Sequence, residues 1–334
     1  MKNLNHKKIL ITGGAGFIGS HLVDGLIDEK PTKIVVVDNF FLGKRENLKE
    51  ARRNFPQLKI IRQDAAKYEA MKKIIIREKI EVVFNLATKA LGHSFVDPND
   101  AYMVNVNIAS VLLRLLYQKK YQTLIHCSSS EAYGTAQKVP ISEDHPLCPH
   151  TLYAAGKAAA DLMMRSYYKT YKLDLAIARP FNTYGPRQNE GVYAAVIPIT
   201  IQRIIHRKPP IICGDGNQTR DFIYVEDTAR GIIEVYKNQN TRGKEINIAY
   251  GQEIKIKDLI RITAKEMGFK GKMIRRPARL ADVRRHQASN LLAKKLMGFE
   301  PKYGFKEGIK KTIEWYLEKF SAKGRSASGG KIKI

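Results

Sequence analysis

The sequence feature that most restricts the fold of this chain is a glycine-rich turn between two apolar segments. The run KILIT leads directly into GGAGFIGSHLVDGL, in which Gly13, Gly16 and Gly19 are three residues apart. A second apolar run, IVVVD, ends at Asp38, 19 residues after Gly19. A strand, a glycine turn, a helix and another strand in this order predict a βαβ unit over residues 8–37.

The glycine turn predicts a site for a dinucleotide. Glycines let the backbone turn tightly and approach a pyrophosphate, whose charge is stabilised by the free N–H groups at the start of the following helix. A glycine pattern alone is weak, but this one follows a strand, opens a helix and precedes Asp38 at the end of the next strand. Asp38 is placed to accept hydrogen bonds from an adenosine ribose, and its carboxylate would repel a 2′-phosphate. We therefore predict NAD rather than NADP as the cofactor.

A second informative stretch starts at His126 with HCSSSEAYG and ends with YAAGK, where Tyr153 and Lys157 are four residues apart. Residues with this spacing share one face of a helix. The Lys157 ammonium can therefore lower the pKa of the Tyr153 phenol from its ordinary value of about 10. Such a phenolate can take a proton from a sugar hydroxyl while a hydride leaves for a nicotinamide. A lone Tyr-x-x-x-Lys pair arises by chance in many helices, so this prediction depends on the dinucleotide site and the serine cluster upstream.

Apolar strands alternate with helical segments along the first half of the chain. This order predicts an α/β fold with a doubly wound parallel sheet and a ligand at the carboxyl ends of its strands. After Gly185, longer polar loops and proline-rich joints predict a smaller, discontinuous C-terminal lobe that covers the substrate. We predict a cofactor-binding domain over residues 1–185, to which 222–250 return, and a substrate-binding lobe made of 186–221 and 251–320.

The charge of the chain permits two interpretations. Lys and Arg number 58 against 32 Asp and Glu, a formal net charge of +26. A nucleic-acid or membrane partner would explain this excess. The basic residues are spread along the chain, however, so we favour a basic surface that attracts an anionic substrate. The last segment, residues 321–334 (SAKGRSASGGKIKI), is predicted to be a flexible basic tail.

Composition also predicts the cellular compartment. The chain contains no run of about 18 apolar residues and no signal-like apolar stretch at its start, so we expect no membrane partner. Its cysteines, Cys127, Cys148 and Cys213, lack metal-ligand spacing and cannot all pair, which fits a reducing cytosol. We predict a cytoplasmic protein without a metal site.

Several motifs together resemble one protein family. GGAGFIGSHL, VVVDN, NLAT, SSSEAYG, YAAGK, RPFNTYGPRQ and GDGNQTRDFIYVED are similar to the extended short-chain dehydrogenase/reductase family, in its branch acting on nucleotide sugars. The similarity extends from residue 8 to about residue 318. It implies a Rossmann domain, tightly held NAD, a nucleoside-diphosphate sugar substrate and a homodimer built on helix pairs. The apolar helix expected at 100–118 could form part of that dimer face.

The resemblance assigns roles around the cofactor. It implies that Ser129 shares the proton of the sugar O4 with Tyr153, and that Lys157 also holds the nicotinamide ribose. Asp64 is expected to reach the adenine, and the small-residue turn after the fourth strand is expected near the cofactor. The predicted cofactor-binding residues are Gly13, Gly16, Phe17, Ile18, Gly19, Asp38, Asn39, Asp64, Ala65, Leu86, Ala87, Tyr153 and Lys157.

The resemblance also implies residues that bind the substrate diphosphate. Asn182 in RPFN and Arg220 in QTRDF match such positions, as does one arginine of ADVRRH, which we take to be Arg284. A guanidinium suits this role because its planar fork forms paired, charge-assisted hydrogen bonds with phosphate. The alternative for Arg220 is an ion pair with Asp221 or Asp227.

The reactions of this branch, 4-epimerisation, 4,6-dehydration and uronate decarboxylation, all begin by oxidising C4. Glu131 matches the position where 4,6-dehydratases carry a glutamate as the base for C5, whereas 4-epimerases usually have a small or neutral residue there. The dehydratases of dTDP-glucose carry an aspartate before that glutamate as the acid for the leaving hydroxyl. Ser130 takes its place here and could only relay a proton. Decarboxylases of UDP-glucuronate carry a similar Ser-Glu pair.

We therefore predict an NAD-dependent nucleotide-sugar 4,6-dehydratase. Its predicted catalytic residues are Ser129, Ser130, Glu131, Tyr153 and Lys157. The alternatives are a UDP-sugar 4-epimerase, a UDP-glucuronate decarboxylase, and a scaffold that binds RNA without catalysis. An intact set of Ser129, Tyr153 and Lys157 argues against the scaffold, and we expect no nucleic-acid partner.

Overall fold

The computed structural model describes residues 2–279 and 282–327, with side chains up to residue 321. The strands of these residues are β1 (Lys8–Thr12), β2 (Lys33–Asp38), β3 (Leu58–Arg62), β4 (Val82–Asn85), β5 (Thr123–Cys127), β6 (Leu175–Pro180), β7 (Asn182–Tyr184), β8 (Ile211–Cys213), β9 (Thr219–Tyr224), β10 (Glu245–Ile248), β11 (Glu253–Lys255) and β12 (Ile274–Arg276). The α-helices are α1 (Phe17–Asp28), α2 (Lys49–Asn54), α3 (Tyr68–Arg77), α4 (Pro98–Tyr117), α5 (Leu152–Tyr171), α6 (Val196–Ile205), α7 (Val225–Lys237), α8 (Ile256–Glu266), α9 (Leu291–Met297) and α10 (Phe305–Ala327).

Seven strands form one parallel sheet in the order β10-β6-β5-β4-β1-β2-β3. The chain builds outward from β1 to β3, then crosses back to β4 and continues to β6. The strand order therefore reverses between β1 and β4, which is where doubly wound sheets bind their ligands. The predicted α/β Rossmann fold is confirmed.

The inner strands β1, β2 and β4 are mostly apolar because both faces of the sheet are covered. Ile9 and Ile11 of β1 pack in a core cluster on one face, to which α1 and α7 contribute. Leu10, between them, packs in the cluster on the other face with side chains of α3, α4 and α5. Alternate side chains of a strand point to opposite faces, so a doubly covered sheet needs apolar residues at every position.

The remaining strands form two smaller sheets, of order β11-β9-β7 and β12-β8. A separate apolar cluster surrounds them, with side chains from α6, α8 and α10. One apolar run predicted as a single sixth strand is divided here, because β6 ends at Pro180 and β7 belongs to the small sheet. Of the predicted return segment 222–250, β10 pairs with β6 in the main sheet. The division into two domains stays a prediction.

The C-terminal helix α10 continues to Ala327. Its backbone is therefore helical past residue 321, where the flexible tail is predicted to start. Residues 328–334 of that predicted tail lie outside the described residues. Among the described residues, no helix combines the length and apolar character needed to span a bilayer.

Candidate active site

A cavity of about 380 Å³ opens at the carboxyl edge of the main sheet, beside the point where the strand order reverses. Its walls come from the loops that follow β1, β2, β3, β4, β5 and β6. Every residue predicted to bind the cofactor lines this cavity, namely Gly13, Gly16, Phe17, Ile18, Gly19, Asp38, Asn39, Asp64, Ala65, Leu86, Ala87, Tyr153 and Lys157. Ser129, Ser130, Glu131 and Asn182 line it too. The predicted cofactor-binding residues and these four predicted catalytic and substrate-binding residues therefore line one cavity. Their individual roles stay predictions.

The glycine turn forms a cradle that only glycine fits. Gly13 has a φ of 70°, and a Cβ there would lie 2.7 Å from the backbone nitrogen of Ala87. A Cβ on Gly19 would collide with the carbonyl oxygen of Gly13. Helix α1 begins after Gly16, which offers no side chain to cap it. The free N–H groups of this first turn border the cavity, an arrangement that binds an anion such as a pyrophosphate.

Asp38 lies at the end of β2, beside this cradle. One carboxylate oxygen accepts a hydrogen bond from the Ala15 backbone nitrogen at 3.0 Å, and the other accepts from the Phe40 nitrogen at 2.8 Å. Burial raises the pKa of the carboxyl, while these two backbone bonds oppose that rise. The cradle and the carboxylate together fit NAD, whose pyrophosphate would lie on α1 and whose ribose would lie near Asp38.

Tyr153 and Lys157 project from the first turns of α5. The helix starts there because Thr151 caps it, its hydroxyl accepting a hydrogen bond from the Ala154 nitrogen at 3.2 Å. The Lys157 ammonium donates to the Cys127 carbonyl at 2.9 Å and lies 6.0 Å from the centre of the Tyr153 ring. The hydroxyl groups of Ser129 and Thr88 lie within hydrogen-bonding reach of the Tyr153 phenol. The phenol that is predicted to be catalytic is therefore flanked by two hydroxyl groups.

The prediction that Lys157 lowers the pKa of Tyr153 is wrong for this structure. Burial raises the pKa of the phenol above its ordinary value, against the opposing effects of the bonds from Ser129 and Thr88. Lys157 is itself buried, and its ammonium bonds to the Cys127 carbonyl instead of the phenol oxygen. Burial disfavours the charged phenolate, so the neutral phenol is favoured in this structure.

Glu131 lies on a short 3-10 turn, Ser130–Tyr133, that follows β5. Ser129 caps this turn, its hydroxyl accepting a hydrogen bond from the Glu131 backbone nitrogen at 3.2 Å. Glu131 lines the same cavity as Tyr153, and its carboxyl is near enough to raise the pKa of the Tyr153 phenol. Burial raises the pKa of its carboxyl, the nearby Arg220 lowers it, and Asp282 raises it. A buried carboxyl beside the phenol is the group that a proton abstraction from the sugar ring would need.

Ser130 is almost fully buried, at 3% exposure, and borders the cavity. Its backbone carbonyl accepts a hydrogen bond from Nε2 of His286 at 3.2 Å. His286 thereby ties the 3-10 turn to the segment that follows residue 282. Burial lowers the pKa of His286 to about 3, so its imidazole is neutral and donates through Nε2.

The predicted diphosphate residues are not all brought together. Asn182 borders the cavity, but Arg220 and Arg284 do not. Arg220 is buried, forms an ion pair with Asp282 and donates to the Val283 carbonyl. Neither Asp221 nor Asp227 is its partner. Arg284 is exposed and forms a paired hydrogen bond with Asp215, both at 3.0 Å. A diphosphate role for either arginine stays a prediction.

Sequence reasoning missed Thr88 and Lys89, which also line the cavity. Both follow the turn that carries Leu86 and Ala87, and this position after β4 was the available signal. Asn105 of α4 holds the pair, since its Oδ1 accepts from the Thr88 hydroxyl and from the Lys89 nitrogen, each at 2.9 Å. Within residues 2–279 and 282–327, no group of His, Cys, Asp or Glu side chains is arranged to bind a metal ion.

A Rossmann-type sheet, an NAD cradle and a Ser-Tyr-Lys group in one cavity define an NAD-dependent enzyme of the short-chain dehydrogenase/reductase type. The chain belongs to the GDP-mannose 4,6 dehydratase family, whose model matches residues 10–312.

Relatives within this group carry out different reactions, among them dehydration, epimerisation and decarboxylation. The chain is 33% identical to the dTDP-D-glucose 4,6-dehydratase of Homo sapiens, over 94% of this chain and 91% of that protein. It is 32% identical to the UDP-glucose 4-epimerase of Mycolicibacterium smegmatis, over 93% of this chain and 99% of that protein. Among solved structures it resembles the dTDP-glucose 4,6-dehydratase of Bacillus anthracis in complex with NAD, with a TM-score of 0.83, 27% identity and coverage of 93% and 97% of the two chains.

These similarities establish an NAD-dependent enzyme of the nucleotide-sugar dehydratase and epimerase group. The alternative of a scaffold without catalysis is therefore excluded, because the family consists of enzymes. The identities to a dehydratase and to an epimerase are alike, so the choice between the two reactions depends on the residues around the cavity.

Proposed function

We propose that this enzyme is a nucleotide-sugar 4,6-dehydratase in which Glu131 removes the C5 proton. The observation that carries this proposal is the Glu131 carboxyl, which lies in the same cavity as Tyr153 and Ser129 and whose pKa is raised by burial. A raised pKa makes the ionised carboxylate a stronger base. A ketone at C4 acidifies the C5 proton, so a base in this cavity supports elimination of the C6 hydroxyl.

The proposed steps follow from the positions of the side chains. Tyr153, once ionised to the phenolate, takes the proton of O4 beside the Ser129 hydroxyl, and Glu131 then takes the C5 proton. NAD, when bound, accepts the hydride from C4 and returns it to C6. The C6–O bond breaks, and one of the two abstracted protons leaves with the hydroxyl as water, relayed by Ser130. The other proton returns to C5, so atoms and charges balance.

Binding of the substrate is proposed to use the predicted diphosphate residues to different extents. Of the three residues, Asn182 best fits a role in binding the diphosphate, because it borders the cavity. Arg220 would have to exchange its ion pair with Asp282 for the diphosphate, and Arg284 its pair with Asp215. The proposed substrate is a nucleoside-diphosphate hexose with free hydroxyl groups at C4 and C6.

The reaction is tested by incubating the enzyme and NAD with a panel of nucleoside-diphosphate hexoses in heavy water and analysing products by mass spectrometry. We expect loss of one water and gain of one deuterium at C5. Glu131→Gln should retain NAD and substrate binding, measured by calorimetry, but form no dehydrated product, because an amide does not accept the C5 proton. Tyr153→Phe is the comparison variant and should stop C4 oxidation itself. Unchanged turnover in Glu131→Gln would refute the assignment of the base.

The second candidate is C4 epimerisation, which is favoured by the similarity to a UDP-glucose 4-epimerase. Epimerisation needs no base at C5, so Glu131 has no role in it. An epimer has the mass of its substrate and carries no deuterium at C5, whereas a UDP-glucuronate decarboxylase would release CO2. The same mass spectra therefore separate all three reactions.

We also propose that the enzyme is a homodimer. Helices α4 and α5 pack side by side and expose large apolar side chains, among them Met103 and Tyr117 on α4 and Leu162 and Tyr171 on α5. Exposed apolar residues on two adjacent helices are typical of an interface between subunits. Light scattering of the purified protein tests this proposal. The cytoplasmic location and the absence of a nucleic-acid partner stay predictions.

A further inference from the structure

A buried polar cluster lies beneath the cavity, and it centres on Asp161. Tyr153, Lys157 and Asp161 follow one another at intervals of four residues, so they lie along one face of α5. The Asp161 side chain is 0% exposed. One of its oxygens, Oδ2, accepts hydrogen bonds from the Arg179 guanidinium at 2.6 Å and from the Ser128 hydroxyl at 2.7 Å. A carboxylate is thus fixed one helical turn beyond Lys157.

Lys157 needs a negative charge nearby, because its own hydrogen bond does not supply one. The residue is 3% exposed, and its ammonium donates to the Cys127 carbonyl, which is neutral. Burial lowers the pKa of the ammonium, while Cys127 and then the Asp161 carboxylate raise it. A buried ammonium without a counter-charge tends to lose its proton.

The other groups that face this cluster carry no compensating negative charge. From β5, burial lowers the pKa of His126 far below its ordinary range and raises that of the Cys127 thiol to about 11, so both are neutral. From the 3-10 turn, the pKa of Tyr133 is raised to about 12 by burial. Arg179 of β6 is a cation. Glu245 of β10 raises the pKa of Arg179 and forms an ion pair with Arg165. The phenol of Tyr153 is protonated in this structure.

The second Asp161 oxygen, Oδ1, accepts no hydrogen bond from the described residues, and His126 lies beside it. Thr12, Asn85 and His126 lie side by side in register on β1, β4 and β5. The Thr12 hydroxyl donates to Oδ1 of Asn85 at 2.6 Å, so the Asn85 amide nitrogen donates to Nδ1 of His126 at 2.9 Å. The proton of His126 is therefore on Nε2, which lies 3.9 Å from Oδ1 of Asp161. All the hydrogen bonds that this carboxyl accepts among the described residues therefore go to Oδ2, from Arg179 and Ser128.

We propose that Asp161 is a positioning residue, which acts through Lys157 by keeping that side chain an ammonium beneath the cofactor and the phenol. Asp161 touches neither substrate nor cofactor in this role. The inference rests on the proposed oxidation at C4, which dehydration and epimerisation share, and it is independent of Glu131.

The test is the pH dependence of turnover in the NAD-bound enzyme. If catalysis needs the Lys157 ammonium, the rate falls as the pH rises through the pKa of Lys157. Asp161→Asn removes the attracting charge, so that pKa falls and the decline starts at lower pH. At a fixed pH above the decline, the rate should drop about tenfold for each pKa unit of the shift. Lowering the pH should restore the rate, a recovery that mere loss of structure would not produce.

Two further variants keep the proposal testable if Asp161→Asn folds poorly. Asp161→Asn/Arg179→Met removes both charges of the buried pair, which proteins tolerate better than one unpaired charge. Its decline should lie between those of Asp161→Asn and the unchanged enzyme, because loss of the Arg179 cation opposes the effect of losing the carboxylate. Glu245→Gln is the matched control, since it neutralises another carboxylate of the same region that is paired with Arg165. Its decline should coincide with that of the unchanged enzyme.

A measurement without substrate separates this inference from the proposed reaction. The 15N resonance of the Lys157 ammonium, assigned by its loss in Lys157→Met, gives the pKa of Lys157 directly in the NAD-bound protein. A lower pKa in Asp161→Asn supports the inference even if no nucleotide sugar is converted. An equal pKa in both proteins, or a decline of activity at the same pH in all variants, would overturn it.

Discussion

The cavity has a cofactor end, around the glycine turn and Asp38, and a predicted substrate end, around Ser130 and Glu131. Different kinds of contact hold the two ends in place. At the cofactor end the hydrogen bonds of Asp38 are local, since it bonds to Ala15, 23 residues away, and to Phe40, two residues away. At the substrate end the hydrogen bonds join distant segments, since Arg220 and Asp282 are 62 residues apart and Ser130 and His286 are 156 apart. Spacing along the chain therefore determines the first end, and the folding of the C-terminal lobe determines the second.

The largest effect expected from this comparison is at the cofactor end. Gly19→Ala places a methyl group against the Gly13 carbonyl, and the backbone of the cradle cannot move without losing its fit to a pyrophosphate. We expect the NAD affinity, measured by calorimetry, to fall about 100-fold, as overpacking costs about 1–3 kcal/mol.

The control for this variant is Gly304→Ala, because a Cβ at Gly304 has no neighbour within 4 Å. It should bind NAD like the unchanged enzyme. Equal NAD affinity in Gly19→Ala would mean that the cradle is not closely packed around the cofactor, and the contrast between the two ends would weaken.

The local end is also the part that the sequence predicts well. Glycine spacing, the position of Asp38 and the interval between Tyr153 and Lys157 are fixed by strand and helix geometry, so the predicted residues meet in one cavity. The alternation of strands and helices predicted the parallel sheet for the same reason, because apolar patterning reflects which faces are covered.

The parts that the sequence did not predict depend on tertiary packing. The pKa of Tyr153 is raised because the fold buries it, and no spacing encodes burial of that degree. Arg220 bonds to Asp282 because the segment beyond residue 282 folds back, pairing Ala288 with Ile141. Thr88 comes near the phenol only because β4 ends and α5 begins at the same edge of the sheet.

A prediction of intermediate size sharpens the description of the substrate end. Arg220 lowers the pKa of Glu131 and Asp282 raises it. Glu131 works as a base when ionised, so turnover falls at pH values below its pKa. Arg220→Gln should move this acid-side decline to higher pH, and Asp282→Asn should move it to lower pH. At a fixed pH below the decline, the rate at saturating substrate should change about tenfold per pKa unit of the shift.

The charges facing Glu131 allow a matched control. Besides Arg220, His150 lowers the pKa of Glu131. Glu253 is not one of the groups that shift this pKa, because its carboxylate pairs with Arg285 and accepts a hydrogen bond from Thr219. Glu253→Gln should therefore leave the acid-side decline in place. Shifts of the same sign in Arg220→Gln and Asp282→Asn would show that the titrating group is not Glu131.

The smallest expected effect concerns Arg284, whose predicted role and observed contact differ. Its ion pair with Asp215 is exposed, and exposed pairs add little to stability, so Arg284→Ala should leave the thermal unfolding midpoint unchanged. If Arg284 moves from Asp215 to the diphosphate during binding, the same variant should also raise KM several-fold. Its kcat should stay unchanged, because the lost bonds are made equally in the ground and transition states. Arg285→Ala is the matched comparison, since the adjacent Arg285 is also exposed and paired with a carboxylate, that of Glu253. Equal KM values in the two variants would remove Arg284 from the diphosphate site and leave Asn182 as its predicted residue on the cavity wall.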